Sequence, residues 1–146
     1  MEHRAEAGPD GRAVSLDLDG SDWVHHGKVR AREASGELTL VVDGLTTQGK
    51  YYKPLIYEFF RKVWRGARPA WGEFEVDIFM EYVGEPPWMD LDNLAKALLD
   101  SIKGYAFHDD AQVGRLLVER RPGDRERIII LVRKRESGLL RRTLEG

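Results

Sequence analysis

The five consecutive apolar residues at 128–132 constrain the fold more than any other segment of the chain. A strand that is apolar on both faces must be covered on both, which is typical of the centre of a sheet. Residues 74–83 show another pattern, in which large apolar side chains alternate with Glu75, Asp77 and Glu81. Alternation of this kind predicts a half-buried strand. The chain therefore contains at least one sheet with a buried centre.

Helices and further strands surround these two segments. Residues 49–63 and 91–103 have apolar side chains at helical spacing, and the second segment ends at Gly104. Residues 38–42 and 113–119 indicate strands, while residues 23–32 favour a strand only weakly. This order predicts the α+β class. We expect a single domain with a mixed sheet of about four strands, two main helices packed on it, and an N-terminal β-rich extension.

The composition is typical of one folded domain, and it excludes several kinds of site and catalysis. The chain has 146 residues and no Cys, which excludes disulfides, thiolate metal sites and thiol catalysis. We expect an extension over residues 1–36, a main domain over 37–136 and a charged tail over 137–146. No segment has the pattern of a membrane span or a signal peptide, so we expect a cytoplasmic protein without a membrane partner.

Charge is distributed unevenly, although the net charge is only −2. Residues 49–68 carry +5, residues 69–114 carry −8, and residues 115–142 carry +6. An acidic centre that holds a cation between basic flanks would bind a polyanion. Taken alone, however, this distribution is more typical of an ordinary mixed surface.

The chemically informative segment is DLDNLAKALLD at residues 90–100. On a helix, Asp92, Lys96 and Asp100 share one face, and the leucines lie on the opposite face. Asp90 lies at the helix entrance, where the helix dipole and free N–H groups stabilise carboxylates. Asp90 and Asp92 are spaced so that they can share a hard divalent cation such as Mg²⁺.

A second acidic pair follows the helix in the segment HDDAQV at residues 108–113. We expect the chain reversal to return Asp109 or Asp110 to the helix entrance, which would complete a three-carboxylate magnesium site. Such a site suits phosphodiester hydrolysis, with Lys96 stabilising developing charge or orienting the attacking water. The alternative is a purely structural helix, in which Asp92 caps the N-terminus and Asp92, Lys96 and Asp100 form a solvated ladder.

Together, residues 90–113 closely resemble the signature of RusA-type crossover junction endodeoxyribonucleases, and a weaker match in element order covers residues 38–134. The resemblance implies a homodimer that nicks four-way (Holliday) DNA junctions in pairs, with Mg²⁺ or with Mn²⁺ as a substitute. It implies that Asp90, Asp92 and Asp110 are the essential acids and metal ligands, and that Lys96 is the essential lysine. Asp109 and Asn93 are further candidates for the metal site or its surroundings. Residues 85–89 depart from the family, because members often carry a basic run there.

Candidate DNA contacts lie outside this segment. The basic residues of the first helix could follow a phosphate backbone, or they could form its ordinary solvated face. These residues are Lys50, Lys53, Arg61, Lys62 and Arg65. Trp88 could stack on an unpaired base, although packing against the neighbouring helix is the more common role for such a residue.

Three rival functions remain open from the sequence. The first is a non-catalytic DNA-binding module on the same fold. The second is a metal-dependent nuclease that acts on other branched DNA or on nucleotides. The third is an interaction protein with a charged helix face. An intact acidic set disfavours the first, since a binding protein gains nothing from anionic groups that face phosphate.

Overall fold

The protein is described by a computed structural model over residues 22–64 and 69–135, together with a short ladder between Glu6–Ala7 and Ala13–Val14. The strands are β1 Glu6–Ala7, β2 Ala13–Val14, β3 Val24–His26, β4 Val29–Ala34, β5 Glu37–Asp43, β6 Phe74–Tyr82, β7 Val113–Pro122 and β8 Arg127–Lys134. The helices are α1 Tyr52–Lys62 and α2 Leu91–Ile102, and 3-10 turns span Gly49–Tyr51 and Asp110–Gln112. The predicted tail at residues 137–146 lies outside the described residues.

One mixed sheet organises the chain, with the strand order β3-β4-β5-β8-β6-β7. Every neighbouring pair is antiparallel except β6 and β7, which are parallel. The predicted α+β class is confirmed, and β8, which holds the apolar run, is a central strand as expected. The sheet has six strands rather than about four. The difference arises because residues 24–34 form a hairpin of two strands, with Gly27 at a positive φ of 59° in the turn.

The helices pack on one face of the sheet and form the main core with it. The alternating residues of β6 point into this core as predicted, and Ile56, Phe59, Leu94 and Leu98 meet them from the helices. On the opposite face, Phe79 packs with a smaller cluster. Phe79 is only 1% exposed, because this cluster covers it.

Ion pairs occupy the rest of that second face. Arg133 bonds to Glu37, Glu75 and Asp77, and Arg115 bonds to the latter two. Burial lowers the pKa of Arg133, but the surrounding carboxylates outweigh this effect and raise it overall. Acids on this face therefore have structural partners.

The unit β6–α2–β7 determines where the candidate residues lie. Because β6 and β7 are parallel, α2 must run back along the sheet between them. The N-terminus of α2 therefore lies near the ends of β6 and β7, and its C-terminus lies near their beginnings. Among the described helices, none has the length and apolar character needed to span a membrane.

Candidate active site at the entrance of helix α2

Asp90 and Asp92 lie at the N-terminus of α2, exposed to solvent. Asp90 has extended backbone angles and its carbonyl accepts the first helical hydrogen bond, from Leu94 N at 3.1 Å. Its side chain makes no capping bond and accepts only a long bond from Asn93 Nδ2 at 3.4 Å. Both carboxylates therefore keep oxygen lone pairs available, in a position where the helix dipole favours negative charge.

Lys96 lies one turn further along α2 and is also exposed. Within the described residues, neither Asp92 nor Lys96 forms an ion pair, so the structural ladder considered from the sequence is not formed. Asp100 pairs instead with Lys53 at 2.7 Å and with Lys103 at 3.7 Å. The hydrogen bond from Lys53 lowers the pKa of Asp100, and Lys103 adds to the effect. Of the two acids within α2, Asp100 is thus the one that ion pairs with described residues hold in place.

Asp109 and Asp110 belong to the loop between α2 and β7. The Asp109 side chain accepts a hydrogen bond from Ala111 N at 3.3 Å and caps the short 3-10 turn that begins at Asp110. Asp109 therefore has a local structural role, whereas Asp110 is exposed and forms no ion pair with another described residue. Asp110 is the freer of the two carboxylates.

Gln112 holds this loop in place, a role that the sequence did not reveal. Its Oε1 accepts hydrogen bonds from His108 N at 2.7 Å and Asp109 N at 3.0 Å. Its Nε2 donates to the carbonyls of Ala70 and Gly72, both at 2.9 Å. These bonds fix the loop beside the start of β6, at the C-terminal end of α2. The local signal for this role was the spacing of Asp109 and Gln112, which is typical of a capping box at the start of a helical turn.

Asp110 consequently lies far from Asp90 and Asp92 within one chain. Helix α2 has 12 residues, and its two ends are therefore about 18 Å apart at a rise of about 1.5 Å per residue. The length of β7 gives a second estimate of this separation. Arg120 Nη2 donates to Met89 O at 2.7 Å, so the Arg120 end of β7 lies beside Asp90. The path along β7 from Val113, close to Asp110, to Arg120 is about 23 Å at about 3.3 Å per residue.

The expectation that Asp109 or Asp110 returns to the helix entrance is therefore wrong for a single chain. Within residues 22–64 and 69–135, no group of three or more acidic or His side chains is close enough to hold a metal ion. Asp90 and Asp92 have the right donor chemistry for Mg²⁺, but one chain supplies only part of the predicted ligand set.

A basic groove of about 1120 Å³ lies between α1 and the C-terminal half of α2. Its charged lining residues are Lys50, Lys53, Glu58, Arg61, Lys62, Asp100 and Lys103. Basic residues outnumber acidic ones, and four of the five basic residues predicted to contact DNA are brought together here. Arg65, the fifth, lies outside the described residues. Lys53 differs from the other three because its ammonium group already bonds to Asp100.

Close packing joins this groove to the candidate site. A Cβ on Gly49 would lie 2.9 Å from the Cβ of Ala97, so only glycine allows the 3-10 turn to approach α2 this closely. The contact places the 3-10 turn that contains Lys50 next to the middle of α2, the helix that also carries Lys96.

Two tryptophans are exposed near the ends of α2. Trp88 is 97% exposed, so the preferred interpretation that it packs against the helix is wrong. Trp71, which sequence reasoning missed, is 70% exposed and stacks on His108 with ring centroids 3.8 Å apart. Exposed aromatic rings are costly in water and are common where bases stack on a protein.

Within the described residues, acids without ion pairs at a helix entrance and a basic groove are features that suit a protein with a polyanionic ligand. Comparison with protein families identifies the family more closely. Residues 45–133, more than half of the chain, match the model described as endodeoxyribonuclease RusA, and the chain belongs to that family. A comparison with curated protein sequences finds no match.

Proposed function

We propose that the protein is a divalent-metal-dependent endonuclease that resolves four-way DNA junctions by paired phosphodiester nicks. The observation that carries this proposal is that Asp90, Asp92 and Lys96 are exposed and form no ion pair with any described residue, whereas Asp100 on the same helix is paired. Membership of the RusA family supports endonuclease activity on Holliday junctions. A homodimer, with Mg²⁺ as its ion and Mn²⁺ as a substitute, belongs to the same proposal, as does a cytoplasmic location.

Each part of the candidate surface has a role in this proposal. A bound Mg²⁺ would polarise the phosphoryl group and supply a nucleophilic water. Asp90 and Asp92 would hold that ion, and Lys96 would stabilise the charge that develops on the phosphate. The basic groove would bind the backbone of one DNA arm without reading its sequence. Trp88 would stack on a base that is unpaired at the branch point.

One observation favours a second candidate function. The separation of Asp110 from the helix entrance leaves a single chain without a complete ligand set, as in a non-catalytic DNA-binding module. Within the described residues Asp90 and Asp92 form no ion pair, which argues against that function, because two carboxylates that no cation neutralises weaken binding to phosphate.

A comparison of three DNA substrates tests the proposal. The full-length protein is incubated with a four-way junction, a linear duplex of the same sequence and a flap, each with Mg²⁺, with Mn²⁺ and with EDTA. Each strand is labelled in turn, so that paired nicks are recognised on a denaturing gel. We expect metal-dependent, symmetric nicks in the junction alone.

Two other outcomes would lead to different conclusions. Equal cutting of all three substrates would contradict junction resolution and would indicate a broader nuclease activity on branched and linear DNA. Tight junction binding without cutting under either metal would contradict an enzyme and favour the non-catalytic module.

A further inference from the structure

Strand β7 carries three arginines in different surroundings. Arg115 and Arg121 bond to carboxylates on the face of the sheet opposite the helices, so their charges have a structural use. Arg120 is exposed and forms no ion pair with another residue that the structure describes. Arg120 is therefore the arginine of this strand whose charge no described side chain neutralises.

The side chain of Arg120 belongs to the face of β7 that packs against the helices. In the register of the sheet Arg120 lies opposite Met80, which is buried in the main core. Alternate residues of a strand share a face, so Arg120 lies on the same side as Leu116 and Val118, which border α2. The unneutralised arginine is thus on the side of the sheet that carries the candidate active site.

One hydrogen bond fixes the guanidinium beside the entrance of α2. Arg120 Nη2 donates to Met89 O at 2.7 Å, and Met89 directly precedes Asp90, with about 3.8 Å between consecutive Cα atoms. Within the described residues, this is also the one hydrogen bond that residues 84–89 form. Arg120 and Asp90 form no ion pair with each other, so the guanidinium and the carboxylate both remain available for a ligand at this point.

A carbonyl acceptor orients a guanidinium without neutralising it. Arginine has several N–H donors, and the bond to Met89 O uses one of them. The others can donate in pairs to the oxygens of a phosphate, and the group stays charged at every physiological pH. We propose that Arg120 binds the non-bridging oxygens of the phosphodiester that is cut, as a further residue of the active site. This inference rests on the proposed function.

The chemistry of the cut explains why a cation is useful there. A water molecule adds to phosphorus while one bridging P–O bond breaks, and the proton that the water loses is matched by one that the leaving oxygen takes up. The non-bridging oxygens carry more negative charge between these events, and a preorganised cation stabilises that charge. Lys96 would contribute from α2 and Arg120 from β7, so the phosphate would meet cations from two elements.

Substitution of Arg120 tests its contribution to cleavage. With saturating junction DNA, Arg120→Ala should cut on the order of 10²-fold more slowly, because one preorganised cation is lost from the transition state. Arg120→Lys should recover only part of the rate, since lysine keeps the charge but lacks the planar fork of donors. Circular dichroism should show the wild-type fold for both variants. Cleavage at the wild-type rate by Arg120→Ala would overturn the proposal.

A second experiment separates a phosphate contact from simple anchoring of residues 84–89, which would also slow cleavage. Four-way junctions are made with a single neutral methylphosphonate, moved one position at a time past the branch point. Their binding to the wild type and to Arg120→Ala is measured by fluorescence anisotropy with Ca²⁺ in place of Mg²⁺. At the phosphate that Arg120 contacts, the wild type should lose about 10-fold in affinity and Arg120→Ala should lose little.

Arg125→Ala is the matched control for this series. Arg125 is exposed in the turn that follows β7, and its substitution removes the same charge. This variant should bind all the junctions in the wild-type pattern, with the position-specific loss intact. Loss of the pattern in Arg125→Ala as well would show that any nearby positive charge has the same effect, and would contradict a specific contact by Arg120.

The position of the effect decides which phosphate is bound. It should coincide with the nick that the wild type makes in the unmodified junction, and an effect at another phosphate would overturn the assignment to the cut phosphodiester. If no position distinguishes Arg120→Ala from the wild type, Arg120 acts only through Met89 O and the proposal is wrong. If the wild type cuts no junction, the proposed function fails, while the binding series still decides whether Arg120 contacts a phosphate.

Discussion

The two ends of helix α2 carry the same residue type in opposite circumstances. At the N-terminus, Asp90 and Asp92 are exposed, and within the described residues they form no ion pair. Near the C-terminus, Asp100 is held by Lys53 and Lys103. The helix dipole explains part of the difference, because negative charge is favoured at the N-terminus and disfavoured at the C-terminus. Asp100 needs cations to be tolerated, whereas Asp90 and Asp92 are stable without them and remain available for a ligand.

The presence of an ion-pair partner distinguishes carboxylates with a structural role from those available for a ligand, which the number of acids in the sequence cannot do. On the uncovered face of the sheet, Glu75, Asp77 and Glu81 all bond to arginines. Asp110 resembles Asp92, because neither forms an ion pair with a residue that the structure describes. The three acids that the family resemblance implies are essential are thus among the acids that form no ion pair within the described residues.

The largest expected effect belongs to Asp92→Asn. It should lower junction cleavage by on the order of 10³-fold, because the neutral amide is a poor ligand for a hard cation. Junction binding should be kept or improved, since a charge that repels phosphate is removed. Cleavage and gel-shift assays measure the two effects separately. Wild-type cleavage by this variant would remove Asp92 from the proposed ligand set.

Trp88→Ala should weaken junction binding without affecting folding. Loss of one stacked base costs about 1–3 kcal/mol, whereas a side chain that is 97% exposed contributes little to the core. A fluorescence binding assay on junction and duplex should show the loss mainly for the junction. Trp71→Ala is a matched exposed control at the other end of α2 in the same chain. Equal losses on both DNAs would show that Trp88 does not recognise the branch point.

Arg61→Ala should weaken binding of junction and duplex alike. A guanidinium in the basic groove would neutralise one phosphate, so the slope of log affinity against log salt should fall by about one. Titrations at several salt concentrations measure this slope. Lys53→Ala should change the slope less, because its charge is already paired with Asp100. A larger change for Lys53→Ala than for Arg61→Ala would reverse the roles assigned to the two residues.

The smallest effect is expected for Asp100→Asn, which removes an exposed structural pair. Its pKa lies below the ordinary value of 3.8, so the ionised form is favoured in the folded state. The pair therefore stabilises the protein above that pH, and its contribution is lost as the pH falls through the lowered pKa. Thermal denaturation should show a slightly lower Tm for the variant at neutral pH and no difference in strong acid. Cleavage should remain close to that of the wild type.

Local patterns predicted the elements well, because each pattern reflects burial along one segment. The apolar run 128–132 gave a central strand, the alternation in residues 74–82 gave β6, and the leucines of residues 91–102 gave α2. The extra hairpin was underestimated, since residues 24–34 are only weakly apolar and depend on pairing with β5.

Non-local contacts account for what the sequence did not predict. The position of Asp110 depends on the parallel pairing of β6 with β7 and on Gln112 reaching the carbonyls of Ala70 and Gly72. The ion pair of Asp100 depends on Lys53, which is 47 residues away in the sequence. Spacing along the chain correctly grouped Asp92, Lys96 and Asp100 on one helix, but it could not tell which of them has a partner.

The most direct test of the contrast between the two ends of α2 is metal binding without DNA. Isothermal titration with Mn²⁺ compares the wild type with Asp92→Asn and Asp100→Asn, two substitutions that remove the same charge from the same helix. We expect Asp100→Asn to bind Mn²⁺ like the wild type and Asp92→Asn to bind more than about 10-fold more weakly. Equal binding by all three proteins, or a loss confined to Asp100→Asn, would contradict a metal site at the entrance of α2.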